Sequence, residues 1–349
     1  MKITRRTFAA SAAALTALPA YAQKTPKPLV IAHRGASGER PESTLMAFRL
    51  AIAEGADFIE PDLVLTKDGH LVVRHENNIS ATTDVATRPE FEKRLTTRII
   101  DGQSISGWFT EDFTLEELKT IRCRERLPQL RPGSAKFNDQ EAIPTYQEVI
   151  DLAKAESTRL KRPIGTYPEI KHGIYFAQLG LQTEPRLAEM LKKNDLDSEA
   201  APVFVQCFDV GPLKTFMKLS KARRIQLVSR EGGPVDQTVR YTDMVSASGL
   251  KDVAAYANGV GPEWPMVIPE SADGGLAPAT ALVADAHAAG LAVHPWTVRA
   301  ENYFLPKKLR KGDNPADFGD VDAVYKALFA AGVDGLFSDF PGLEAKARG

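Results

Sequence analysis

The chain has 349 residues, 43% of them hydrophobic, with 44 Lys and Arg against 45 Asp and Glu. A net charge of -1 and an isoelectric point near 6.6 leave no basic stripe for nucleic acid and no polybasic patch for a membrane surface. Small-molecule chemistry is the expected occupation, on one domain, because α/β barrels of this size commonly run as a single unit.

The first element is a leader. Residues 1–22 combine a basic start, an apolar stretch from Phe8 to Ala20 and the small-x-small site Ala20-Tyr21-Ala22, which reads as a signal peptide. Thr4-Arg5-Arg6-Thr7-Phe8 matches the twin-arginine export pattern. The apolar part is shorter than the roughly 20 residues a membrane span needs, so a periplasmic mature chain, 23–349, without stable membrane insertion is expected. An oxidising compartment permits a disulfide between Cys123 and Cys207 without implying one. Cys207, inside a strand-like apolar run, reads as a buried free thiol.

Apolar runs rich in Val, Ile, Leu and Phe then alternate with helical patterns. Strands are predicted at 29–33, 58–63, 165–170, 203–207, 225–228, 259–261, 291–296 and 335–338, and helices at 44–54, 146–156, 213–219, 279–289 and 321–331. Eight strands with intervening helices predict an α/β fold, a (β/α)8 TIM barrel. The run 71–75 follows the second strand too closely for a parallel crossover. Asp68-Gly69 reads as a two-residue type I′ turn, which pairs Lys67 with His70 and, counting outward, sets Asp62 opposite His75. Residues 76–142 lack barrel periodicity and are expected as an excursion over the catalytic rim. Within it, a short helix at 115–118 is capped by Thr114, with Glu117 in capping-box position. Residues 307–318 form a second, smaller insertion, expected to be polar and mobile.

Charged residues fall where the strands end. Glu60 and Asp62 are two apart on one strand, so both face the same side, and Glu169 ends the next. Crowded carboxylates need a cation, and an all-oxygen set without a Cys or His ligand pattern favours Ca²⁺ or Mg²⁺ over zinc. His33 and His75 arrive at the same rim on different strands as a candidate acid and base pair. Arg34 and Lys171 suit the non-bridging oxygens of a phosphate; neutralising Glu42, Glu60 or Glu169 is their other reading, and the two coexist. His172 and His294 read as structural. The set suits metal-assisted phosphoester cleavage.

His33-Arg34-Gly35, Pro41-Glu42-Ser43-Thr44, Glu60-Pro61-Asp62-Leu63, Thr66-Lys67-Asp68-Gly69, His75, Glu169-Ile170-Lys171, Trp296-Thr297-Val298 and Gly335-Leu336-Phe337-Ser338-Asp339-Phe340-Pro341 occur in that order. The ordered set resembles the glycerophosphodiester phosphodiesterase family over almost the whole mature chain. The long insertion and His294-Pro295-Trp296-Thr297-Val298-Arg299 are similar to its periplasmic branch. The resemblance implies a TIM barrel that hydrolyses glycerophosphodiesters to sn-glycerol 3-phosphate and an alcohol with Ca²⁺ or Mg²⁺. It implies Glu60, Asp62 and Glu169 as metal ligands, His33 and His75 as general acid and base, and Arg34 and Lys171 as phosphate binders. It further implies Glu42 as an additional active-site carboxylate and Trp296 in the glycerol pocket. The nucleophile stays open between water and the glycerol 2-hydroxyl. Where the family often has Asn this chain has Ser43, expected to cap the following helix equally well. Two other functions compete. A phospholipase acting on intact lipids is disfavoured by the charged insertion, and a silent binding module by the presence of both histidines.

Overall fold

Residues at alternate positions along a strand share a face, and here that rule stacks a polar layer on a hydrophobic one. The computed structural model describes residues 27–349; the expected leader, with its twin-arginine pattern, lies outside the described residues. The barrel strands are Leu29–His33, Phe58–Glu60 continuing as Asp62–Leu65, Gly165–Thr166 continuing as Glu169–Ile170, Phe204–Cys207, Arg223–Val228, Gly259–Pro262, Ala292–Val293 and Gly335–Ser338. All neighbouring barrel strands pair in parallel. The barrel closes where Val298 N–H donates to Phe337 O at 2.8 Å and Phe337 N–H to Pro295 O at 2.9 Å. Pro61 and Pro168 interrupt the second and third strands because proline has no N–H for the ladder.

The inner hydrophobic layer is Ile31, Phe58, Tyr167, Phe204, Ile225 and Phe337. Gly165 makes room for it, since a Cβ there would lie 2.2 Å from the Phe58 ring. Two residues further along the same strands come His33, Glu60, Glu169, Gln206, Leu227 and Asp339. The polar rim is therefore the next layer up from a packed aromatic floor. Outside the strands, helices such as Leu45–Ala53, Tyr146–Leu160, Val210–Leu219, Leu282–Ala288 and Val321–Ala330 bury their apolar faces in one continuous core. Among the described residues no helix is long and apolar enough to cross a membrane.

The excursion packs into that same core through Ile79, Val85, Phe109, Phe113, Leu118 and Ile121. Its helix Leu115–Leu118 carries the expected capping box from Thr114 and Glu117. It also contains an antiparallel pair, Thr96–Ile100 with Gln103–Gly107, that the sequence reading did not anticipate. The loop of that pair is Asp101-Gly102, with φ of 50° and 80°, the geometry of a type I′ turn.

At Asp68-Gly69 the structure corrects the predicted register. Leu65 pairs with Leu71 and Leu63 with Val73, and Arg74 N–H donates to Asp62 O at 3.1 Å. Asp62 is thus opposite Arg74 rather than His75. The loop has three residues, Lys67 to Gly69, with only Gly69 at positive φ. Thr66 Oγ1 donates to Asp68 Oδ1 at 2.6 Å and accepts from His70 N–H at 2.9 Å, which holds the wider turn.

Three further expectations are revised or refined. Thr44, not Ser43, caps the first helix, accepting from Ala47 N–H at 3.2 Å; Ser43 sits at φ 58°, a conformation that Asn tolerates better than Ser. The segment 307–318, expected to be polar and mobile, is tied to Asn302, whose Nδ2 donates to Lys311 O at 2.8 Å and Asn314 O at 3.0 Å. Cys123 and Cys207 are both buried and unpaired with each other.

Candidate active site

Strand register sets the site before any side chain is considered. His33 pairs with Glu60, Asp62 with Glu169, and Glu169 with Gln206. One mouth therefore receives consecutive polar residues from adjacent strands. A cavity of about 360 Å³ there is lined by His33, Arg34, Glu60, His75, Glu169, Lys171, Gln206, Phe208 and Trp296, among others. Asp62 lies against it, with ligand atoms of Glu60, Asp62 and Glu169 all within 4.8 Å of one another. Glu42 does not line the cavity. It is buried behind Arg34, accepting from Arg34 Nη1 at 3.2 Å and from Arg126 at 2.9 and 2.7 Å.

Arg34 is left-handed at φ 57°, followed by Gly35 at 84°. That strained turn aims Arg34 N–H at Glu60 Oε2, 2.8 Å away, and brings its Nε to 3.1 Å from Asp62 Oδ2. Lys171 Nζ stands 2.6 Å from Glu169 Oε1 and 3.2 Å from Asp62 Oδ1. Gln206 Nε2 donates to Glu60 Oε1 at 3.1 Å. Trp296 anchors its Nε1 on Gly261 O at 2.8 Å and sets its ring against Phe208.

Burial lifts the Glu60 carboxyl well above the usual range, and the nearby Asp62 and Glu169 charges add to it. Burial lifts Glu169 in the same way, against the pull of Lys171. Burial presses on Asp62 too, but Lys171 and Arg34 overcome it and hold this carboxyl below its usual range. Both Asp62 oxygens are buried with no hydrogen-bond partner; the two cations approach without hydrogen-bond geometry. Repelling carboxylates with orphaned oxygens and an all-oxygen donor set fit a divalent cation.

Each histidine is oriented by a carboxylate. His33 Nδ1 lies 2.6 Å from Asp339 Oδ1 and His75 Nδ1 2.6 Å from Glu76 Oε1. Burial and the Arg34 charge pull His33 down to about 4, with Asp339 opposing; burial, Arg34 and Lys171 lower His75 as well. Burial raises Asp339, yet Arg299, Arg131 and His33 keep it well below the usual carboxylate range. An ionised carboxylate only accepts, so each neutral imidazole carries its proton on Nδ1 and offers a bare Nε2. His172, by contrast, bonds Asp101 at 2.6 Å, and His294 is buried against the Tyr167 hydroxyl at 2.8 Å; neither lines the cavity.

Sequence reasoning found the cavity residues that sit at strand ends but missed Asp339, Glu76, Gln206 and Arg299. Asp339 and Gln206 carried the same strand-end signal as His33, and Glu76 adjoins His75.

Fold and site together define a parallel-barrel enzyme with two imidazoles beside a buried carboxylate cluster that could hold a cation. A model of the glycerophosphoryl diester phosphodiesterase family matches residues 33–343, and the chain belongs to that family. A glycerophosphodiester phosphodiesterase of Arabidopsis thaliana is 35% identical over 91% of this chain and 85% of its own. One from Haemophilus influenzae is 31% identical over 90% and 87%. The structure of an Oleispira antarctica phosphodiesterase in complex with the product sn-glycerol-3-phosphate shares the fold, with a TM-score of 0.59 at 21% identity over 92% and 96% of the two chains.

Proposed function

We propose that the protein hydrolyses glycerophosphodiesters to sn-glycerol 3-phosphate and a free alcohol, with His33 and His75 as acid and base and Ca²⁺ or Mg²⁺ as the resident cation. The observation that carries this reading is the single cavity on which both imidazoles, Arg34, Lys171 and two of the three clustered carboxylates converge. Identity to named glycerophosphodiester phosphodiesterases supports the activity, and the product held by the Oleispira enzyme supports the product class.

Arg34 and Lys171 would take the non-bridging phosphate oxygens. A divalent cation on Glu60, Asp62 and Glu169 would neutralise the phosphate and polarise it toward displacement. Both imidazoles start neutral, so either Nε2 can accept the proton of the attacking hydroxyl, from water or from the glycerol 2-position. Its counterpart takes up a proton from solvent as the anionic phosphate binds, since that charge favours imidazolium, and delivers it from Nε2 to the leaving alkoxide. A second cavity of about 560 Å³, sharing Trp296, Thr297 and Arg299 with the first, leaves room for the alcohol.

Incubating the purified protein with glycerophosphocholine, with and without chelator, tests the reading. Glycerol 3-phosphate should form, the rate should collapse on chelation and recover on adding Ca²⁺ or Mg²⁺; full turnover after exhaustive chelation would sink the cation assignment. Arg5-Arg6 and the resemblance to the periplasmic branch support export to the periplasm. Replacing both arginines with Lys should leave precursor inside the cell, and unimpaired periplasmic activity would count against that location.

A further inference from the structure

The carboxylates that hold the two histidines are themselves held, and by one segment. Arg126 grips both oxygens of Glu76, Nη1 at 2.9 Å and Nη2 at 2.7 Å, while the same guanidinium bonds Glu42. Arg131 Nη2 lies 2.5 Å from Asp339 Oδ2, its Nε 2.6 Å from Glu301 Oε1, and its Nη1 donates to Ser37 O at 3.0 Å. Arg299 Nε also reaches Asp339 Oδ2, at 2.9 Å. Both Arg126 and Arg131 belong to the excursion 76–142, just ahead of its helix Pro132–Ala135. Resting on the acid and base reading of the histidines, we propose that Arg126 and Arg131 are positioning residues through which the inserted segment fixes the orientation and tautomer of His75 and His33.

The physical argument is about rotation. One contact between Nδ1 and a carboxylate oxygen leaves the carboxyl group free to turn about its own bond, and the ring turns with it. Arg126, forked across both Glu76 oxygens, removes that freedom by dictating the carboxylate plane; on Asp339 the second oxygen is pinned by Arg131 Nη2 together with Arg299 Nε. The guanidinium charge also keeps each carboxylate ionised, and therefore an acceptor, which confines the imidazole proton to Nδ1. Docking of the insertion alone does not require this pattern. Glu301, fully buried, would suffice as an anchor for Arg131, yet Arg131 divides its donors between Glu301 and the carboxylate behind His33. Arg126 likewise spends half of its fork on the carboxylate behind His75.

The test reads the ring nitrogens directly. In the whole chain labelled with ¹⁵N-histidine, with His33 and His75 signals identified from their alanine variants, both rings should show the Nδ1–H tautomer. Arg126→Gln should raise the Nε2–H tautomer of His75 alone, and Arg131→Lys that of His33 alone. His294, held by Tyr167, should stay unchanged in both. With glycerophosphocholine, kcat should fall roughly tenfold to a hundredfold in each, the range seen when a group orienting an imidazole is removed. If Arg131→Lys does not fold, Arg131→Gln replaces it; if neither folds, the Arg126 arm, at a partly exposed side chain, decides. Unchanged tautomers, or a shift of His294 together with the others, would mean that the arginines only hold the insertion in place and would overturn the proposal. A wild-type protein with both rings in the Nδ1–H form but no glycerophosphodiester turnover would instead refute the functional reading, so the two failures are distinguishable.

Discussion

At the scale of single side chains, access separates His33 and His75 from His294. All three direct Nδ1 at an oxygen partner, yet only the first two border the cavity, where Nε2 can meet a substrate. If one accepts and the other delivers a proton in a single displacement, each alanine variant should lower kcat by at least about 10². The double variant should lose little more, since groups acting as a unit are not additive. With bis-p-nitrophenyl phosphate, whose leaving group scarcely needs a proton, one of the two variants should keep much of its activity. Near-normal turnover of glycerophosphocholine by both would leave the rim as a binding site only. Much of this chemistry was legible in the sequence because strand ends announce it, as His33, Glu60 and Glu169 did. Asp339 was not legible as the partner of His33, because a contact across 306 residues leaves no local trace; Glu76 is the immediate neighbour of His75, but adjacency alone does not say that a side chain turns back onto the ring.

At the scale of elements, turns decide what the strands deliver. Gly35 lets the chain reverse after Arg34 at φ 84°, and a Cβ there would lie 2.6 Å from the Ala47 backbone. Gly35→Ala should therefore cost at least about 2 kcal/mol, from the left-handed conformation plus overpacking against a helix that cannot retreat. Urea unfolding would measure it, and a midpoint equal to wild type would show that the turn adapts freely. Asp68-Gly69 and Asp101-Gly102 show where local reading ends. Asp101-Gly102 makes the tight turn that Asp68-Gly69 was expected to make, because Thr66 bonds both Asp68 and the His70 amide and so widens the loop by one residue. Apolar runs located the strands themselves, since a barrel strand buried on both faces needs little but β-branched and aromatic residues. They overextended the seventh strand into Pro295, where the ladder loses its donor.

At the scale of the whole molecule, the two ends of the described chain meet, Arg348 Nη1 donating to Pro28 O at 2.9 Å. Burial, reinforced by the facing Glu39, pushes the Glu54 carboxyl up to about 7, partly opposed by the Gly342 backbone. A carboxyl whose folded pKa is raised binds its proton more tightly in the native state, so its contribution is present below about 4.5 and is lost as pH rises towards 7. Glu54→Gln should flatten this part of the stability profile and favour the fold at pH 8 by up to about 1 kcal/mol, after discounting for solvent screening of a half-buried group. Thermal melts of both proteins across that window would check it, and parallel curves would reject the linkage. The pairing of Leu29–His33 with Gly335–Ser338 has an equally long reach. A chain is made from its N-terminus onward, so His33 leaves the ribosome 306 residues ahead of Asp339, which orients it. A nascent chain thus holds His33 without the carboxylate that aims it, and the pair assembles only after the last barrel strand, Gly335–Ser338, has been made.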